Sequence, residues 1–382
     1  MRLTSLRFVR ASAGGALLLI LATLSAGAQV RRNDQQKPPS MTIDDYEPTS
    51  MLVSKATPVP RARFPFVDIH GHQNLSMGDA EFAGLVATMD KINLKTMVNL
   101  SGGSGANLAA QVQNAKKKYP GRFVVFANVD WNKVNEPNFA QNAAAQLERD
   151  VKDGGAVGLK IFKNLGMDTF WADGTRVRTD DIRFAPIWDK CGELGIPVLI
   201  HTAEPSAFFL PVDKHNERYL ELTQFPGRTR PPEKYPPFDS LIAEQHRMFK
   251  RHAKTTFISA HLSWLGQDLG RLGRTLDTIP NMMVEVAAAL YEIGRQPRAG
   301  RAFFTKYQDR ILMGKDTFGD ENEFAVYFRI FESSDEYFPW YRRRHAFWGM
   351  YGLELPDDVL RKVYYKNALR IVKGIDPAGF PR

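Results

Sequence analysis

The sequence predicts an α/β protein of the (β/α)8 TIM-barrel class, and three observations carry that prediction. Eight short runs rich in Val, Ile and Phe recur between residues 66 and 316, most of them about 26–32 residues apart, the length of one strand-and-helix unit. Amphipathic stretches of helical period fill the intervals. Eight such units suit a closed barrel better than an open doubly wound sheet.

In chain order the expected strands are "FVDIH" (66–70), "TMVNL" (96–100), "FVVFANV" (123–129), "AVGLKIF" (156–162), "PVLIH" (197–201), "TFISAH" (256–261), "MMVEV" (282–286) and "ILMGKD" (311–316). Expected helices include 79–92, 106–118, 139–152, 181–195, 239–252 and 266–278, with a last one at 357–373. Two connections are longer. Residues 202–238 contain "FPGRTRPPEKYPPF", too proline-rich for a regular helix, and residues 317–356 are dense in aromatics. Both follow C-terminal strand ends, where barrel enzymes carry their active-site loops.

The barrel domain is expected over residues 61–382, preceded by two other segments. Residues 1–28 have a basic start, an apolar stretch centred on Leu17–Leu24 and small residues Ala26-Gly27-Ala28. That is the pattern of a cleavable signal peptide and implies a periplasmic or secreted protein, an uncleaved membrane anchor being the alternative. Residues 29–60 are polar and Pro-rich and read as a surface arm or linker. With the leader removed, no stable membrane insertion is expected.

Cys191 is the only cysteine, which excludes an intrachain disulfide and any Cys-rich metal site. The formal charge is +9, three units of it carried by Arg2, Arg7 and Arg10 in the leader. The remaining surplus is small and scattered, which argues for anionic small ligands rather than nucleic acid. "YRRRH" at 341–345 reads as a solvated or loop-anchoring group. A homo-oligomer stays open.

Four of the eight histidines sit where the strands end. His70 and His72 close the first run, and an extended backbone sends both to one face, with Asp68 on the same parity one step deeper. His201 ends the fifth run, His261 the sixth, and Asp316 the eighth. In a barrel these ends share one mouth. Imidazole and carboxylate donors suit a divalent ion, zinc first, with manganese or iron as alternatives. Such an ion acidifies a bound water, and Asp316 can accept its proton while touching the metal.

The segments "VDIHGH", "VLIHTAE", "ISAH", "LMGKD" and "NALRIV" resemble the amidohydrolase superfamily, in its amidohydrolase-related branch (amidohydrolase 2), from about Phe64 to about Lys373. The resemblance implies metal ligation by His70, His72 and His201, and metal ligation plus base catalysis by Asp316. It implies for His261 a second metal or the positioning of water and substrate. Some superfamily members bridge two ions with a carbamylated lysine; "GLKIFKNLG" places Lys160 at the matching position, as a bridging carbamate or as a buried lysine paired with a carboxylate. One or two ions thus stay open. Decarboxylase-like members usually lack that lysine and have glycine after the matching histidine, where this chain has "HLSWLG".

Glu204, just past His201, is placed to touch substrate or a histidine, a loop carboxylate being the plainer reading. Glu285 in the seventh strand faces the mouth or pairs with an arginine below it, the second being favoured. Arg295, on the loop after that strand, suits a substrate carboxylate, with loop anchoring as the rival. His215, His246, His252 and His345 read as surface or capping residues. Trp171, Phe208, Phe209, Phe318 and Trp340 line loops at the mouth, as packing or as a pocket wall.

The expected activity is metal-dependent hydrolysis of an amide, ester or lactone in a small, anionic substrate, with His261 or the metal polarising the carbonyl. The alternatives are a metal-dependent decarboxylase of an aromatic or dienoic acid, and a non-catalytic binding protein that keeps its metal.

Overall fold

The computed structural model describes residues 40–318, 320–345 and 347–382. The signal-peptide segment and the first part of the arm lie outside the described residues. Ser50–Arg382 is one compact unit, and residues 40–49 belong to a separate one. Among the described residues no helix is long and apolar enough to cross a membrane.

Among the described residues nine strand segments occupy eight positions of a parallel barrel: β1 (Phe66–Gly71), β2 (Leu94–Asn99), β3 (Phe123–Val125), β4 (Ala127–Asn128), β5 (Leu159–Ile161), β6 (Val198–Ile200), β7 (Phe257–Ser259), β8 (Met282–Glu285) and β9 (Ile311–Leu312). The third predicted run is broken at Phe126, so β1-β2-β3 pair as one parallel set and β4 to β9 as another. Backbone bonds bridge both seams. Phe126 N–H donates to Asn99 C=O (2.9 Å) and Ala127 N–H to Gly158 C=O (2.8 Å). Across the other seam, Ile69 N–H donates to Met313 C=O (3.0 Å) and Asp316 N–H to His70 C=O (2.8 Å). Every run predicted as a strand contributes to the barrel, the first two slightly longer than predicted and the others shorter.

The helices fall between strands as the periodicity predicts, at Asp79–Ile92, Gly105–Lys118, Phe139–Lys152, Ala185–Leu194, Phe238–Arg251 and Leu269–Thr278. The last starts three residues later than predicted because Asp268 caps it, accepting Arg271 N–H. The aromatic connection after β9 is not all loop. Asp320 accepts the N–H groups of Asn322 and Glu323 and starts a helix over Glu321–Glu332. Its apolar face, Phe324 and Phe328, packs on Phe66 and Tyr364 at centroid distances of 5.4–6.3 Å.

The terminal helix runs from Asp357 to Ile371 with a π turn at Lys362–Lys366. A π turn loosens the helical ladder, and here the Val363 carbonyl accepts Met313 N–H (3.0 Å), tying the helix to the seam where Asp316 emerges. Phe66, Phe324, Phe328 and Tyr364 are fully buried, each worth about 1.5–3 kcal/mol relative to exposure. The seam that carries two site residues is thus backed by a packed aromatic layer.

Candidate metal and active site

The period of β1 delivers Asp68, His70 and His72 to one side, but in different roles. Asp68 is buried and accepts N–H bonds from His70 and Lys315, both at 3.0 Å. It ties β1 to the segment after β9 and raises no ligand toward the mouth. Burial pushes its carboxyl up to about 6, against those two N–H donors.

His70 and His72 carry on to meet Asp316. Their Nε2 atoms each lie 3.6 Å from Asp316 Oδ1. His261 completes a group with His70 and Asp316 in which one donor atom from each falls within 4.8 Å of the others. His201 Nδ1 joins at 3.2 Å from His261 Nε2. Lys160, within β5 and fully buried, places Nζ 3.3 Å from His70 Nε2. The structure therefore brings together all six residues expected to hold metal, from five strand ends.

What these histidines do is set by their far nitrogens. His70 Nδ1–H donates to Glu285 Oε1 (2.9 Å), His261 Nδ1–H to the Ala287 carbonyl (2.8 Å), and His72 Nδ1 meets Ser101 Oγ (2.8 Å). A neutral imidazole that donates through Nδ1 keeps its lone pair on Nε2. Burial holds all four imidazoles in the neutral form: His72 falls to about 4, His261 to about 3, and His70 and His201 are lowered as well. Burial alone would raise Asp316, but the surrounding His261, His201, His72 and Lys160, of which Lys160 is the one that is cationic at neutral pH, hold its carboxyl below the usual range.

This donor set fits a divalent cation. Two donors about 2.1 Å from one ion stand about 3.0–3.4 Å apart, close to the 3.2–3.6 Å separations here. Two imidazole nitrogens at 3.2 Å need a proton or a cation between them. His261 Nδ1–H is committed to Ala287, so the proton there belongs to His201, and Lys160 supplies the one facing His70.

Positive φ angles gather at this rim: Ala203 after β6, His261 to Trp264 after β7, Ala288 after β8 and Asp316 after β9. Each such non-glycine residue costs about 1–2 kcal/mol, a strain found where surrounding contacts over-determine a functional geometry. The four-residue left-handed turn is clamped by Gln245, whose amide donates to Ser259 Oγ (2.9 Å) and Ser263 Oγ (3.0 Å). It folds the Trp264 indole onto His261, stacked at 4.4 Å.

The remaining expectations divide. Glu204 accepts from Lys163 (2.5 Å) and Arg230 (3.0 Å) and stands 3.7 Å from His201 Nε2. Arg295 pairs with Glu217 at 3.2 Å, its guanidinium between the Tyr291 and Trp348 rings, so its fork already holds a carboxylate of its own loops. Glu285 corrects the sequence reading: among the described residues it pairs with no arginine and instead faces His70, because β8 turns that side chain into the ring of strand ends. The signal was an acid inside the apolar run "MMVEV", since buried charges need partners.

His252 and His345 are buried rather than superficial; His252 pairs with Asp189 (2.8 Å) and His345 with Arg218 (3.3 Å). His215 is exposed, and His246 is half-buried with Nε2 unpartnered. Trp340 packs on Tyr291, Tyr327 and Tyr341, whereas Phe162 keeps an exposed ring beside His72 (5.8 Å). A cavity of about 390 Å³ lies elsewhere, against Asn128, Lys133 and Arg149, and contains none of the ligand candidates.

Comparison with known proteins agrees with this geometry. A family model described as amidohydrolase matches residues 67–374. The fold resembles 4-oxalomesaconate hydratase from Rhodopseudomonas palustris at 14% identity and a TM-score of 0.51, covering 82% of this chain and 97% of that one. It resembles dihydroxybenzoic acid decarboxylase from Polaromonas sp. JS666, solved with manganese and 2-nitroresorcinol, at 14% identity and a TM-score of 0.50, covering 81% and 97%. An uncharacterized TIM-barrel protein from Bordetella bronchiseptica is similar at 16% identity and a TM-score of 0.50, covering 82% and 99%. At such identities the likeness is one of fold. No curated protein matches the chain closely enough to count as a relative.

Proposed function

The chain belongs to the amidohydrolase family and is an enzyme of that superfamily, and from this premise we propose that it is a metal-dependent hydrolase of an amide, ester or lactone in a small, carboxylated substrate. The observation that carries this is Lys160: its buried Nζ stands against His70 Nε2, within the same cluster as Asp316. A dication cannot share that space with an ammonium. Burial already lowers the pKa of Lys160, against the pull of Asp316 and Glu285, so the lysine joins the ligand set as a neutral amine or as its carbamate.

His70, His72 and Asp316 form the first part of the ligand set, and His201, His261 and Lys160 extend it to one or two ions. Zinc is the first choice for these donors, manganese or iron the alternatives. A divalent ion held there acidifies a water molecule and polarises a carbonyl. Asp316 takes the proton from the attacking water and returns it to the leaving group. His261 does not donate to the carbonyl, since its Nδ1–H is committed to Ala287; its Nε2 is a ligand or a proton acceptor. To join the ligand set Lys160 would give up a proton, so uptake is expected to release acid, whereas His201 would bind as neutral imidazole by shifting its proton from Nδ1 to Nε2.

A second reading, decarboxylation of an aromatic or dienoic acid, draws support from the exposed Phe162 ring beside His72 and Lys160, a surface for a flat substrate. The domain boundaries read from sequence, with a leader at 1–28, make the enzyme periplasmic or secreted. The deciding experiment is a metal-to-chain ratio on protein purified without chelator, beside assays on lactones, amides, esters and carboxylated aromatics. Carbon dioxide release selects the second reading. A full metal complement with no turnover selects a binding protein, and no metal overturns the proposal.

A further inference from the structure

We propose that Glu285 is the positioning residue of this centre: one buried carboxylate on β8 orients candidate ligands from β1 and from the end of β7 together, and so sets the affinity for the ion. This rests on the metal reading above and goes beyond it, since no ligand role is assigned to Glu285 itself.

Glu285 is fully buried. Its Oε1 accepts two bonds, from His70 Nδ1–H at 2.9 Å and from the backbone N–H of His261 at 2.7 Å. Its Oε2 accepts Ala287 N–H at 2.5 Å. The loop then closes on itself, because the Ala287 carbonyl accepts His261 Nδ1–H at 2.8 Å. One side chain therefore fixes the ring of His70 directly. It also fixes both the backbone and, through Ala287, the ring of His261. The two imidazoles stack at 5.0 Å, 28° from parallel, as a consequence.

The segment just after β9 makes room for this. A Cβ on Gly314 would stand 2.6 Å from Glu285 Oε2 and 3.2 Å from His70 Cβ, so a side chain there would drive the carboxylate off its donors. Two backbone N–H groups would satisfy a carboxylate placed only for structure. The third bond, to a ligand ring on another strand, is the one that reaches the centre. Three N–H donors on its two oxygens suit a carboxylate rather than a carboxylic acid, and a charged acceptor on Nδ1 makes Nε2 a stronger donor to a cation.

The test is Glu285→Gln, which preserves size and removes the charge. Zn2+ and Mn2+ affinities are measured by chelator competition, the absorption spectrum is recorded with Co2+, and thermal unfolding of the metal-free protein is followed in parallel. The expected result is a loss of about 10- to 100-fold in metal affinity and a changed Co2+ spectrum in a protein that still unfolds cooperatively. Wild-type affinity and spectrum in the variant overturn Glu285's role alone. Wild-type protein that binds none of the three ions overturns the metal reading and this inference with it. Should the variant fail to fold, Glu285→Asp decides: its shorter arm cannot span His70 and Ala287, so a metal affinity equal to wild type overturns the proposal and a tenfold fall supports it.

Discussion

Two buried polar clusters sit among the connections that follow the strands, and they are built on opposite principles. In the strand-end centre, His70, His72 and His261 turn their far nitrogens toward outer partners, and their Nε2 atoms face the cluster. In the second cluster, Arg218 donates from Nε to Glu221 Oε2 (2.6 Å) and bonds the Tyr291 hydroxyl and His345 Nε2, while Arg228 takes the other oxygen of Glu221. Those residues come from the connections after β6, β8 and β9. There, cations meet anions and most valences close inward, Glu292 Oε2 and His345 Nδ1 being exceptions. The first arrangement leaves capacity for a cation; the second staples three loops. Burial and polarity alone do not mark a site. Several donor atoms converging within ligand distance of one point do.

The largest expected effect breaks the first cluster and leaves the second intact. Asp316→Asn keeps the shape of the side chain and removes both a charged ligand and the proton acceptor. Turnover on whichever substrate the assay panel identifies should fall by about 10²- to 10⁴-fold, with the unfolding midpoint little changed. A variant with wild-type kcat would remove Asp316 from the chemistry.

Arg218→Ala does the reverse. It leaves Glu221, 1% exposed, with Arg228 and the longer approaches of Arg344 (3.9 Å) and His345 (3.8 Å), and breaking one side of a buried pair costs about 3–5 kcal/mol. Denaturant unfolding should report that loss while the metal-to-chain ratio stays at the wild-type value. A changed ratio with unchanged stability would mean that the two clusters are not independent.

The contrast also explains how much could be read from the chain. His70, His72, His201, His261 and Asp316 were legible because each ends an apolar run, and strand parity with barrel closure fixes where such residues point. Lys160 needed family likeness, since a lysine inside a strand has no periodic signature. The cluster around Arg218 was illegible: Glu221 lies only three residues from it, but Tyr291 and His345 lie 73 and 127 residues away across loops, and no local rule sets loop conformation. Glu285 was seen but given the wrong partner, because pattern places a side chain on a face and does not say which strand supplies the donor. The break at Phe126 and the helix at Glu321–Glu332 were missed for related reasons, the first in an unbroken apolar run and the second behind aromatics that mimic a packed loop.

The second cluster can be probed by pH through Glu292. Tyr291 hydroxyl donates to its Oε1 (3.0 Å), and its Oε2 has no partner. Burial lifts its carboxyl to about 7, against the opposing pull of Tyr291 and Arg218. The folded state then keeps a proton that the unfolded chain has released above about 4.5. The stability held below that value is lost as pH rises through 7. Glu292→Gln abolishes the penalty, so the gain in stability over wild type should grow by roughly 2–3 kcal/mol between pH 5 and pH 8. A pH-independent difference would show that Glu292 is ionised in the fold.

The smallest effect sharpens the first cluster from its edge. Three far nitrogens hold three kinds of acceptor: a carboxylate on His70, a carbonyl on His261 and the Ser101 hydroxyl on His72. The hydroxyl is neutral, partly exposed and on a glycine-rich loop, and a neutral hydrogen bond contributes only about 0.5–1.5 kcal/mol net. Ser101→Ala should therefore weaken metal binding by no more than about tenfold, well short of the loss of Glu285, because water can replace the hydroxyl at a nitrogen that is not sealed from solvent. If removing Ser101 proves as damaging as removing the β8 carboxylate, orientation of His72 rather than of His70 and His261 controls the ion, and the ranking of the far-nitrogen partners inverts.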